Sequence, residues 1–307
     1  MYSCPLCSTS FPDEKALHKH VRFQEKLKLE EFYTTYLERF DLFDQEPIPW
    51  KNDASAYMSS LFRSRVNLVK YCRKFPDKAR EVIKQVILLR SKQRNLDRML
   101  STVEARSVIY PTVLLAESLN IDWCEMAKEL SLACRYDYHQ KITFKENKDI
   151  TIFCDTREQS PLAIDPKIKV IRKGLNFGDY TSPSHFSNTY VERKSLNDFC
   201  GTMSAGFDRF NREMVRAAEL DARIVVLIES NLNEVFLVGK TPKTQHIKAT
   251  SEFLLHRMRS VIETFENVQF LFVDDRAAAS RALIRILLMT NDIKTIDLQY
   301  LYDAKKV

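Results

Sequence analysis

The run Thr189–Lys194 (TYVERK) carries a carboxylate and an ammonium two residues apart, and its composition predicts a short strand. Side chains alternate along a strand, so Glu192 and Lys194 share one face and Arg193 takes the other. A carboxylate so placed can hold a divalent cation. An ammonium beside it can orient an attacking water or neutralise charge developing on a scissile phosphate. Asp179 begins a second strand-like run, 179–182. A hairpin through Ser184, His185, Phe186, Ser187 and Asn188 would return Asp179 to Glu192 and give the ion a second carboxylate. The competing interpretation is a solvated turn in which Glu192 merely pairs with Arg193.

A second cluster lies at the start of the chain. Cys4-x2-Cys7, then Phe11, Leu17 and His20, reproduces three ligands and both core hydrophobes of a Cys2His2 zinc finger. The fourth ligand departs from that pattern, because Gln24, Glu25 and Lys26 stand where the second histidine belongs. His18 is two residues from His20, and on a regular helix their rings diverge. Either the helix ends early and His18 joins, or Glu25 or a water completes the tetrahedron; a finger without metal is the remaining alternative. Cys4, Cys7 and His20 are the Zn²⁺ ligands common to every metal-bound version.

The elements that must hold these residues change character along the chain. After a zinc-finger-like module at 1–26, residues 27–146 have helical composition. An aromatic-rich amphipathic run over 25–43 stops near Pro47 and Pro49, and helical patterns follow at 54–75, 77–100 and 110–135. From 147 to 290 the pattern alternates between strand and helix. Strands are expected at 151–154, 168–173, 179–183, 189–193, 223–228, 235–238 and 268–273, and helices at 195–201, 207–219, 246–266 and 276–289. Residues 291–307 are expected to form a tail. The fold class is thus multidomain: zinc-finger-like N-terminus, basic helical middle, and a mixed α/β domain that sets acidic residues at strand ends. Gly239-Lys240-Thr241 is not a phosphate-binding P-loop, since Glu234 occupies the position of its first glycine.

Charge points to a polyanionic partner. The formal net charge is +6, and between Arg63 and Arg106 thirteen Lys or Arg face four Asp or Glu. Arg63, Arg65, Lys70, Arg73, Lys74, Lys78, Arg80, Lys84, Arg90, Lys92, Arg94 and Arg98 could line one or two helices and contact phosphates without sequence choice. Arg90, Lys92, Arg94 and Arg98 are the nominated DNA contacts here, with Arg209, Arg212 and Arg216 as a second track; a merely solubilising helix surface is the alternative. Seven cysteines, five of them scattered, argue against a disulfide framework. No apolar run of transmembrane length and no signal-peptide pattern occur, so the expectation is an intracellular protein, cytoplasmic or nuclear, without a membrane partner.

The segment around the carboxylates resembles the nuclease domain of the XPF family of structure-specific DNA endonucleases. Gly178-Asp179, then Glu192-Arg193-Lys194 and Asp198, match that family's Gly-Asp…Glu-Arg-Lys-x3-Asp motif. Asp155-Thr156-Arg157-Glu158 after the apolar run 151–154 matches its upstream turn. The resemblance covers about 148–290 and implies a restriction-endonuclease-like fold. It also implies roles: Asp179 and Glu192 as Mg²⁺ or Mn²⁺ ligands, Asp155 contributing directly or through water, Lys194 as the catalytic ammonium, and Arg157, Glu158, Arg193 and Asp198 in support. The reaction implied is metal-assisted hydrolysis of DNA in branched or single-stranded substrates during replication, repair or recombination. Many relatives carry a following helix-hairpin-helix module that needs glycines, yet the last glycine here is Gly239. Expected partners are DNA, a second copy through the nuclease domain, and a replication or recombination protein. The alternative function is a catalytically idle nucleic-acid-binding or adaptor protein.

Overall fold

A computed structural model describes residues 2–41, 44–50, 53–60, 63, 74–108, 122–146, 150–183, 185 and 187–307. They form two compact units, Met1–Gln85 and Val86–Val307. The expected helical patterns over 64–73 and 110–121, with Arg65, Lys70 and Arg73, lie outside the described residues.

In the first unit, β1 (Tyr2–Ser3) pairs antiparallel with β2 (Ser10–Phe11), Tyr2 opposite Phe11. Helix α1 (Glu14–Phe23) starts at Asp13, whose side chain accepts from the Ala16 amide, and it buries Leu17 and Val21. Helices α2 (Leu29–Tyr36) and α3 (Ala54–Ser59) follow. Cys4, Leu17 and Val21 belong to one apolar cluster with Phe32, Tyr33, Ile48, Ala54 and Tyr57. The finger-like segment therefore does not stop at residue 26, because its few apolar side chains are buried by the aromatic residues that come after it. Helix α4 (Pro76–Arg94) crosses the division between the units and ends at Asn95, which adopts the left-handed conformation (φ 53°).

The second unit is a six-stranded mixed sheet: β3 (Thr151–Cys154), β4 (Lys169–Arg172), β5 (Tyr180–Thr181), β6 (Thr189–Lys194), β7 (Arg223–Ile228) and β8 (Val268–Phe272). Their spatial order is β4-β3-β5-β6-β7-β8, with β5 antiparallel to both its neighbours and the other pairs parallel. Strand β7 shows why the centre is a continuous apolar run. Ile224, Val226 and Ile228 enter one core with Phe199, Met214 and Met258, while Val225 and Leu227 enter the other with Leu283 and Ile286. The helices supplying those cores include α7 (Leu196–Met203), α8 (Phe207–Glu219), α10 (Ser251–Thr264) and α11 (Arg276–Leu288).

Three sequence expectations are corrected. Residues 235–238 are not a strand. Asn231 caps a short helix α9 (Leu232–Val235) by accepting from the Asn233 amide, and turns then bury Phe236 and Val238. The helical middle is not a separate body, since α5 (Thr102–Val108) sends Val103 into the first core and Phe144 bridges to Met289. Helix α6 (Trp123–Glu129) also belongs to this unit. Finally, 291–307 is not a tail. A short 3-10 turn (Ile293–Thr295) and α12 (Leu298–Asp303) cover the β8 edge, where the Gln299 amide donates to Phe272 O (3.2 Å) and accepts from Phe272 N (2.9 Å).

Candidate active site

Strand pairing brings the carboxylates together. Tyr180 lies opposite Val191, and just beyond that pair the Asp179 amide donates to Val191 O (2.9 Å). The Asp179 carboxylate in turn accepts from the Arg193 amide (2.8 Å). Gly178 makes this approach possible. It has φ +57°, and a Cβ there would meet Val191 O at 2.9 Å, so only glycine lets the chain turn this close to β6. Glu192 projects from the next position of β6, and its carboxylate accepts from Lys194 Nζ at 2.8 Å, as the period of two requires. Lys194 is 8% exposed, with its ammonium 5.9 Å from the Phe210 ring centre. Burial and the neighbouring Glu192 charge push the Asp179 carboxyl up to about 7.

Asp155, at the end of β3, is 1% exposed and sits against the same turn, its amide donating to Asp179 O (2.8 Å). Its carboxylate is already engaged. Arg157 donates from Nε (2.8 Å) and Nη2 (3.0 Å), and the amides of Arg157 and Leu175 add bonds of 2.7 Å each. The Arg157 guanidinium and those amides hold the Asp155 carboxyl down at about 2. In this geometry Asp155 anchors Arg157 rather than offering a free oxygen to an ion.

Glu158, Arg193, Glu229 and Arg276 form a chain of ion pairs linking the β3 turn, β6, the end of β7 and the start of α11. Arg193 bonds Glu158 (3.0 and 3.2 Å) and Glu229 (3.2 Å), and Glu229 accepts from Arg276 (2.7 Å). Asp198 does something simpler: it accepts from Ser195 Oγ (2.7 Å), whose oxygen caps α7 by accepting from the Asp198 amide (3.1 Å).

Two clefts of about 850 and 490 Å³ open over these residues and share Arg157, Asp179, Glu192 and Arg209. Helix α8 walls the larger. Arg209, Arg212 and Arg216, spaced three and four apart, are exposed and form no ion pair among the described residues. Glu213, on the same helix, faces the cleft, and burial together with the Glu192 charge pushes its carboxyl up. Glu213, Glu229 and Arg276 were not among the sequence candidates. The sequence signal for Glu213 is the run Asp208-Arg209-Phe210 and Glu213, which opens a helix downstream of the motif strands within the resemblance.

The basic segment before the sheet behaves differently. Arg94 is clamped by Glu263 (2.9 and 2.8 Å from Nε) and also donates to Ser260. Arg98 makes a bidentate pair (3.0 Å each) with Glu104, which is completely buried. Each guanidinium is paired with a carboxylate of its own unit. Arg90 donates to Gln93 (2.9 Å), and Lys92 is exposed.

At the N-terminus, Cys4, Cys7, His20 and Glu25 bring four ligating atoms within 4.8 Å of one another. His18 is directed elsewhere, to the Tyr33 hydroxyl (3.0 Å) and towards Glu14 (3.7 Å).

Residues 154–288 match the family model described as the ERCC4 domain, that of the XPF nuclease family. Among solved structures, the chain is similar to XPF from Aeropyrum pernix in complex with DNA, with 21% identity and a TM-score of 0.34, over 45% of this chain and 63% of that one. A structure titled XPF from Aeropyrum pernix matches at 19% identity and a TM-score of 0.33, over 44% of this chain and 64% of the other. The chain thus spans a little under two thirds of each of those structures. No curated protein matches it significantly. No described helix is long and apolar enough to cross a membrane.

Proposed function

We propose that the chain is a metal-dependent DNA endonuclease, hydrolysing phosphodiester bonds in branched or single-stranded DNA during replication, repair or recombination. The observation that carries this reading is the Asp179–Glu192 pair, set beside Lys194 on the floor of a cleft walled by three arginines that form no ion pair among the described residues. The ERCC4-domain match over 154–288 supports it.

The residues fit a hard divalent cation. Burial first and the Glu192 charge second raise the Asp179 carboxyl, and an ion between the two carboxylates would offset both. The donors are all oxygen, which favours Mg²⁺ or Mn²⁺ over thiolate-seeking metals. Asp179 and Glu192 would hold the ion, which when bound supplies Lewis acidity and lowers the pKa of water. Lys194, steered by Glu192, presents its ammonium where charge develops on the phosphate. Asp155 aims Arg157 at the cleft mouth, and the Glu158–Arg193–Glu229–Arg276 chain keeps β6 rigid beneath the reacting atoms. Arg209, Arg212 and Arg216 hold the DNA backbone.

The decisive experiment incubates end-labelled flaps, forks, junctions, duplex and single strands with the protein in Mg²⁺, Mn²⁺ or EDTA. Cleavage in either metal and none in EDTA is expected. Cleavage that survives EDTA, or none on any substrate, overturns the reading.

A further inference from the structure

We propose that Cys4, Cys7, His20 and Glu25 bind one Zn²⁺, with the Glu25 carboxylate as fourth ligand, and that the ion clasps the aromatic core of the N-terminal unit. Around a tetrahedral zinc ion, sulfur and nitrogen ligands lie roughly 3.5 Å apart, as the usual bond lengths dictate. His20 Nε2 stands 3.3 Å from Cys7 Sγ and 3.0 Å from Glu25 Oε1, and Cys4 Sγ lies within 4.8 Å of all three. These atoms converge on one point from four directions of the chain: a strand end, a turn, a helix and the reversal after that helix.

Helix α1 explains how Glu25 arrives there. It stops at Phe23, the amides of Gln24 and Glu25 both donate to His20 O (2.8 and 3.3 Å), and Lys26 turns left-handed at φ 57°. The Leu27 amide then closes on Val21 O (3.2 Å). That reversal swings residue 25 back over His20, so a carboxylate stands at the usual spacing of the second histidine.

A cation suits this point. The Glu25 carboxylate stands near the C-terminal, negative end of α1, against the His20 ring nitrogen (3.0 Å) and close to two sulfurs that bind metal as thiolates. One of those sulfurs is wholly buried: Cys4 is 0% exposed and packs with Leu17, Val21, Phe32 and Tyr57. Zinc bound to Cys4 thus ties β1 and α1 directly to the cluster built by α2 and α3. Its role is to hold together a unit of few apolar residues, not to carry a free-standing finger.

The test uses the full chain, purified without chelator. Elemental analysis should find about one zinc per chain, and Co²⁺ exchanged for it should give a sulfur-to-cobalt charge-transfer band, which carboxylates elsewhere cannot produce. Competition with a chromogenic chelator then compares variants. Glu25→Ala should weaken zinc at least about 10- to 100-fold, the cost of losing even an outer-sphere partner. Glu25→His should restore tight binding, and His18→Ala should leave it unchanged. Cys7→Ser should release the zinc and abolish the band; if that variant fails to fold, the Glu25→Ala and Glu25→His pair decides, because Glu25→His keeps four ligands. Absence of zinc together with absence of the cobalt band overturns the proposal. So does Glu25→Ala binding as tightly as wild type, which would leave water as the fourth ligand.

Discussion

Helix α8 and the segment that leaves the C-terminal end of α4 both carry arginines, yet they use them in opposite ways. Arg94 and Arg98 meet Glu263 and the buried Glu104, whereas Arg209, Arg212 and Arg216 form no ion pair among the described residues and face the cleft over Asp179 and Glu192. A positive charge that has found its partner inside a fold contributes stability. One left facing a concave acidic floor is available to a phosphate. The comparison sorts the charged residues of the Val86–Val307 unit into those that hold it together and those that act, and each class makes its own prediction.

The largest effect is expected at the cleft floor. Asp179→Asn removes one oxygen ligand and should lower cleavage by about 10³-fold or more, the scale on which single electrostatic groups act in a preorganised site. DNA affinity should stay within a few-fold, because the arginines remain. Cleavage assays beside gel-shift titrations measure both, and wild-type rates in the variant would sink the assignment of the metal pair. Asp155→Asn should be milder, since its carboxylate works through Arg157.

Next in size is Arg98→Gln. It strands the completely buried Glu104 carboxylate, which is held below its usual range by Arg98 against a strong burial penalty. Breaking such a pair costs about 3–5 kcal/mol, to be read from the denaturant midpoint. A change below about 0.5 kcal/mol would return Arg98 to the surface class.

The motif residues were legible in the sequence because their geometry is local. Glycine before aspartate, a period of two along β6 and a hairpin are enough to set Asp179 beside Glu192 and Lys194. What stayed hidden depends on partners distant along the chain. Arg94 and Glu263 are 169 residues apart, so a basic helix looks solvated until the acid on α10 is placed against it. The engagement of Asp155 by Arg157 was hidden for another reason: the pair is only two residues apart, but the turn alone decides that the guanidinium folds back. Strand 235–238 was expected from a short apolar run, which periodicity cannot divide between helix and strand, whereas 291–307 was set apart only because the resemblance ends near 290.

A smaller effect concerns pH. In metal-free protein the Asp179 carboxyl lies near 7, against an ordinary value of 3.8 in the unfolded chain. The folded state therefore binds the extra proton between those values, and stability is lost as pH rises from about 4 to about 7. The loss should be on the order of 2 kcal/mol, about half of what an isolated shift of this size carries, since Asp179 and Glu192 titrate as a pair. Mg²⁺ should flatten the dependence and Asp179→Asn should remove it. Thermal melts across this range without metal that show no Asp179-dependent slope would contradict the close apposition of the two carboxylates.

The smallest effect separates the two helices most directly. Replacing Arg209, Arg212 and Arg216 together by glutamine removes three phosphate contacts while keeping helix propensity, so folding should survive. On duplex DNA the slope of log affinity against log salt should become shallower by up to about 2.7. Lys92→Gln, at an exposed position on α4, should change the slope by much less than the ~0.9 unit that one phosphate contact carries. Compared per charge removed, three against one, the contrast isolates placement from charge. If Lys92→Gln flattens the salt dependence as much per charge removed as the triple variant does, then overall charge rather than the α8 track governs binding. If the triple variant leaves the slope untouched, the DNA backbone does not run along α8.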